Sequence, residues 1–172
     1  MVYRNVQELP REKLLELIEI YAKNWYAMDG VWFQAVEGKY GIAEALEHDI
    51  EAWRRFTVIE ARRIKGLLQL PERPGLAGLA QALAFRRASI FNEYEIIEEA
   101  DSVIYRIVTC RVQAARERKN MAYHTCKPVA EVEYSLFAKT IDDRLEAQIL
   151  SCHPDVTDTT CHCSCRFVLK GE

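Results

Sequence analysis

SIFNEYEIIEEADSVIYRIVTC, residues 89–110, is the stretch that decides the fold. Before it, apolar residues recur every three or four positions; within it they alternate. Ile90, Tyr94 and Ile96 fall at even positions and Phe91 and Ile97 at odd ones, with acids between them. Val103, Tyr105 and Ile107 then alternate with Ile104, Arg106 and Val108. A period of two is the mark of a strand, and Ala100-Asp101 between the runs reads as the turn of an antiparallel hairpin. The first strand is rich in glutamates and is expected to face water on one side. The second ends at Cys110, which alternation places on the face of Ile104 and Val108.

Upstream of the hairpin the pattern is helical. Pro10 suits a first helical turn, and Leu14, Ile18, Tyr21, Trp25 and Met28 follow on one face. Asp29-Gly30 is expected to break this helix. A shorter one would then run from Val31 to Lys39 with Trp32, Val36 and Tyr40 on one side. The longest helix is predicted from about Ile42 to Leu70, with Ile42, Asp49, Trp53, Phe56, Glu60, Ile64 and Leu67 along one stripe. Pro71-Glu72-Arg73-Pro74-Gly75 ends it. That punctuation divides a helical N-terminal part, 1–72, from an α+β part, 73–172, within one compact domain. Leu76, Leu79, Ala80 and Leu83 give a short helix ending near Arg86-Arg87.

Downstream, Arg111 to Lys119 is ambiguous, its charges resembling a solvated helix. Met121 to Lys127 is a loop, and Pro128 opens a helix whose inward stripe would be Val129, Val132, Glu133, Leu136, Phe137 and Thr140. Arg144 to Cys152 reads as a third strand with Leu145, Ala147 and Ile149 on one face. Cys161 to Leu169 reads as a fourth. The fold class is therefore α+β: an N-terminal helical part packed on a C-terminal four-stranded antiparallel sheet with helices.

The totals exclude several functions. A net charge of -3 argues against a nucleic-acid binder, which would want a basic face. No apolar run reaches the ~20 residues of a membrane span. The start, MVYRNVQELPREK, lacks the apolar core of a secretion signal. A cytoplasmic location is the expectation, and there cysteines are normally reduced.

Candidate chemistry concentrates between Cys110 and Phe167, a stretch that holds all six cysteines and three of the four histidines. The spacing Cys110-x15-Cys126-x25-Cys152-x10-Cys163 matches no zinc-finger pattern, but thiolate and imidazole suit zinc and similar ions. Cys161, Cys163 and Cys165 stand two apart, about 6.6 Å between neighbours on a regular strand. Zinc-bound sulfurs are closer to 4 Å apart, roughly, so one of the three joined by thiols from other elements is the more plausible set. Inert buried thiols and disulfides remain open alternatives. On the long helix, Asp49 and Glu60 interrupt an apolar stripe and need partners or a ligand. They lie about 16 Å apart along the axis, too far for a glycosidase-like acid pair.

Two longer segments carry a resemblance. DGVWFQAVEGKYGIAEALEHDIEAWRRFTVIEARRIK, from Asp29 to Lys65, resembles a group of uncharacterised bacterial and archaeal cytosolic proteins. CRVQAARERKNMAYHTCKPVAEVEYSLFAKTIDDRLEAQILSC, from Cys110 to Cys152, resembles the same group. The chain's end, through Cys163 and Phe167, is also similar to the L-2-amino-thiazoline-4-carboxylic acid hydrolase-like family. More distantly it is similar to the ligand-binding 4-vinyl reductase (V4R) domain. The likeness implies a small-molecule or metal site at Cys110, Cys126, Cys152 and Cys163, with Glu133 beside it as the catalytic carboxylate. The extra cysteines of Cys-His-Cys-Ser-Cys, 161–165, depart from that pattern and leave the choice of Cys163 open.

The expectation is a small-molecule-binding protein, with Zn2+ or another transition metal as its cofactor. It would act as a hydrolase on a small amino-acid-derived heterocycle, with Asp49, Trp53 and Glu60 contacting the ligand. The alternative is a non-enzymatic ligand sensor, or a structural dimer with a cysteine-bound zinc. A homodimer is implied by the family likeness.

Overall fold

The computed structural model describes residues 3–170. After a 3-10 turn at Val6–Glu8, two long antiparallel helices follow, α1 (Arg11–Tyr40) and α2 (Ile42–Leu67). The expected break at Asp29-Gly30 does not occur: α1 runs through both. A glycine inside a helix costs about 1 kcal/mol, and the packing of Phe33, buried one turn later, offsets that. The chain reverses at Gly41, whose φ of 90° suits a residue without a Cβ.

Two short helices follow, α3 (Gly75–Ala84) and the single turn α4 (Arg87–Phe91). The latter occupies the start of the stretch read above as strand. The hairpin itself begins four residues later than Ser89, with β1 (Glu93–Glu98) and β2 (Ser102–Thr109). Next come α5 (Arg111–Arg118), α6 (Lys127–Ile141), β3 (Leu145–Cys152) and β4 (Cys163–Leu169). The sheet is fully antiparallel in the order β1-β2-β4-β3, so β4 inserts between the hairpin and β3.

One face of the sheet builds the core. Val103, Tyr105 and Ile107 of β2 and Cys165 and Phe167 of β4 pack against Leu79 and Leu83 of α3 and Phe137, Ala138 and Ile141 of α6. Ala61 and Ile64 of α2 belong to the same cluster, which therefore crosses the 72/73 boundary. The other face is polar, with Arg106 paired to Glu95 and Asp158. α6 meets the core through Val129, Ala130, Tyr134, Phe137, Ala138 and Ile141. That stripe is rotated from the predicted one: Val132, Glu133, Leu136 and Thr140 lie on its half-buried edges. Ile42 and Leu67, predicted on the inner stripe of α2, are exposed at its ends. No helix among the described residues is long and apolar enough to cross a membrane.

Candidate functional site

A cavity of about 420 Å3 lies where α1, α2, α5 and α6 meet the ends of the strands. Four of the six cysteines reach it from four places in the sequence: Cys110, Cys126, Cys152 and Cys163. Each arrives for a local reason. Cys110 follows the last residue of β2 and packs toward the core rather than onto the Ile104 and Val108 face, because the strand has ended and alternation no longer applies. Cys126 is the N-cap of α6. Cys163 opens β4 opposite both Ile107 and Cys152.

Cys152 depends on an irregularity. β3 pairs with β4 in constant register from Leu145 to Ile149, and then Leu150 is passed over: Ser151 faces Ser164 and Cys152 faces Cys163. One extra residue flips the parity of everything after it. Without the bulge, Cys152 would point away from the face of Leu145, Ala147 and Ile149. With it, Cys152 is buried beside Cys163 and within 3.4 Å of the Cys126 sulfur.

The loop before α6 is held by one buried side chain. Gln113 of α5 donates from Nε2 to the His124 carbonyl and accepts the His124 N–H on Oε1, both at 2.9 Å. The same Nε2 lies 3.6 Å from the Cys126 sulfur. The Lys127 N–H donates to the His153 carbonyl, tying the start of α6 to the end of β3. α5 is anchored in turn by Arg116, which binds both oxygens of Glu37 on α1 at 2.8 and 2.9 Å.

The thiols differ in character. Burial pushes the Cys110 thiol up to about 12, and Cys165 is likewise raised by burial. Cys126 is drawn well below the ordinary thiol range, first by its hydrogen bond with Cys152 and then by His124, against the cost of burial. Cys152 moves the opposite way, because its bond with Cys126 and the neighbouring Cys163 sulfur favour keeping the proton on Cys152. The positive end of the α6 dipole acts in the same direction on Cys126.

Carboxylates complete the wall. Burial raises Asp49 to about 7, the neighbouring Asp29 adds to the rise, and His124 and a hydrogen bond with Trp53 oppose it. Asp29 is raised too, chiefly by burial. His124 Nε2 stands 3.8 Å from Asp49 Oδ2, with its ring edge-on to Phe33. Glu133 also lines the cavity, and its Oε1 is held by the fully buried Arg86.

Glu60 is placed elsewhere. It does not line this cavity; Arg86 binds its Oε2 at 3.0 and 3.1 Å, and the Arg87 N–H binds its Oε1. It is a structural counter-charge, so the predicted ligand contacts reduce to Asp49 and Trp53. Cys161 lies outside β4 beside Asp158, and Cys165 is sealed in the core. Among the described residues, no group of three or more His, Cys, Asp or Glu side chains is arranged to hold a metal ion. A two-sulfur separation of 3.4 Å is near what zinc would need, but a third donor would have to join it.

Sequence reasoning does not single out Asp29, Tyr26 or Gln113, and gives His124 interest only from its neighbours. The signal for His124 was present, since His124-x-Cys126 immediately precedes a proline-initiated helix. A search of curated proteins finds none that matches the chain. The model of the Family of unknown function (DUF6125) matches residues 7–169, nearly the whole length, and the chain belongs to that family.

Proposed function

We propose that the protein binds a small molecule in this cavity and hydrolyses it, the ligand being a small amino-acid-derived heterocycle. The observation that supports this most is the composition of the wall. Aromatic rings, three carboxylates and a pair of touching thiols surround a space sized for a small ligand. Asp49 is buried and Asp29 half-buried on the cavity wall, and burying a carboxylate is costly unless something pairs with it. An amino or amidine group of a ligand would be that partner. Trp53 offers a ring for stacking on the same wall as Asp49. Glu133, immobilised by Arg86, is the carboxylate placed to take a proton from the attacking water.

The test is a thermal-shift and mass-spectrometric assay with 2-amino-thiazoline-4-carboxylate and related heterocycles. The reading expects a rise in Tm and a ring-opened product, with Glu133→Gln keeping the shift and losing the product. No shift from any member of the panel would remove this ligand class.

The second reading is a non-enzymatic sensor or structural dimer with a cysteine-held zinc. The close Cys126–Cys152 pair favours the zinc, and metal analysis of untagged protein tests it. The exposed apolar side of α1, with Leu15, Ile18, Tyr21, Met28 and Val31, supports a homodimer.

A further inference from the structure

We infer that Cys126 is the nucleophile of the cavity, and that it attacks an sp2 carbon bonded to nitrogen, as in an amide or cyclic amidine. The inference rests on the hydrolase reading above and assigns that site its reacting atom.

The geometry separates Cys126 from the other thiols. Its sulfur faces the cavity from the N-terminus of a fifteen-residue helix. Two donors point at it, Gln113 Nε2 at 3.6 Å and the Cys152 thiol at 3.4 Å. The Gln113 amide donates to the sulfur outright, and the Cys152 thiol does so when the proton between the two sulfurs rests on Cys152. His124, two residues upstream, lines the same cavity, and its imidazole helps to draw the Cys126 thiol down. Behind His124 stands Asp49, 3.8 Å from Nε2, and behind Asp49 the Trp53 indole. Nucleophile, base and orienting acid are thus in sequence, drawn from the α6 cap, the preceding loop and α2. The 3.8 Å link is longer than a hydrogen bond; such links tighten when a substrate is bound. Cys152 is fully buried, Cys163 meets the Tyr134 hydroxyl at 3.9 Å, and Cys110, which caps α5, has the backbone N–H groups of Val112 and Gln113 at its thiol but burial outweighs them.

The chemistry balances without a redox partner. The Cys126 thiolate forms a C–S bond to the electrophilic carbon, and the C–N bond breaks as the departing nitrogen takes a proton from the His124 imidazolium. A thioester, or its imidate counterpart, remains on the enzyme. Water, losing its proton to Glu133, attacks that carbon; the C–S bond breaks and sulfur leaves as thiolate. Glu133 then returns its proton, through solvent, to His124.

The probe is p-nitrophenyl acetate, added to full-length protein that has been reduced and desalted. A burst of one equivalent of p-nitrophenolate is expected, with the acetyl group mapped by peptide mass spectrometry to Cys126. Cys126→Ser should lose both, His124→Asn should slow the burst by about 100-fold, and Cys161→Ser should change neither. An adduct on Cys163 or spread over several thiols, or a burst that survives Cys126→Ser, overturns the inference. If Cys126→Ser does not fold by circular dichroism, the adduct position in the unmodified protein decides alone. An adduct on Cys126 in protein that binds no thiazoline keeps the nucleophile and discards only the substrate class.

Discussion

Asp49 gives the most quantitative handle on the cavity. Its carboxyl is raised from 3.8 to about 7, chiefly by burial. Each pKa step is worth 1.36 kcal/mol, so the rise corresponds to about 4 kcal/mol in favour of the protonated acid. Asp29 and His124 share the field, and protein relaxation softens such energies, so about 2 kcal/mol is the working magnitude. The sign follows from linkage. Below the unfolded-state value of 3.8, both states hold the proton and Asp49 has no effect on stability. Between 3.8 and about 7 the unfolded chain ionises while the folded one resists, so stability falls as pH rises. Above about 7 the loss is complete and flat. Asp49→Asn removes the ionisation, keeps the shape and still accepts from the Trp53 indole. The variant should be more stable than the parent by about 2 kcal/mol at about pH 8, and close to it near about pH 4. Urea melts of both proteins across that range provide the assay. A stability difference independent of pH, or a variant that loses stability at high pH, would refute the account of Asp49 as an acid raised by burial on the cavity wall.

Three further outcomes follow from particular contacts. Arg86→Met leaves Glu60 and Glu133 without their shared cation and should cost about 3–5 kcal/mol in denaturant melts; an effect under about 1 kcal/mol would mean the triad is not buried as described. Deleting Leu150 removes the extra residue of β3 and leaves Ser151 and Cys152 opposite Ser164 and Cys163 in regular alternation, so Cys152 keeps to the core face. Oxidised glutathione should then still join Cys126 to Cys152, as in the parent, by non-reducing peptide mapping; loss of that link would mean that the register with β4 does not hold Cys152 in place. Replacing Tyr21 and Met28, both exposed on α1, by glutamate should convert a dimer to a monomer in light scattering; an unchanged mass would place any dimer contact elsewhere.

The fold was legible where one face of an element had a single job. β2 and β4 alternate cleanly because Tyr105, Cys165 and Phe167 meet helices while Arg106 and Arg166 meet water. α1 was less legible. Much of its surface is apolar and exposed, so Asp29-Gly30 looked like a break when nothing but local propensity spoke for one. The phase of α6 was misread because Val132 and Leu136 sit on the half-buried edges of a stripe that Tyr134 and Ile141 centre. At the site, the cysteines were visible as a composition, and the chain does bring Cys110, Cys126, Cys152 and Cys163 to one wall. What brings Cys152 there is a one-residue bulge, which alternation cannot announce. Nor could the chain reveal that Arg86, one of two arginines ending a helix, would be fully buried and draw Glu60 out of the cavity's service.

Of the four cysteines that line the cavity, Cys126 alone is taken to have a surround that holds it as thiolate. Native protein treated with a limiting amount of iodoacetamide near neutral pH, then mapped peptide by peptide, tests it directly. Cys126 should carry the first label by a wide margin, while Cys152 and Cys165 label only after unfolding. Labelling of Cys126 no faster than that of Cys163 or Cys110 would contradict the account.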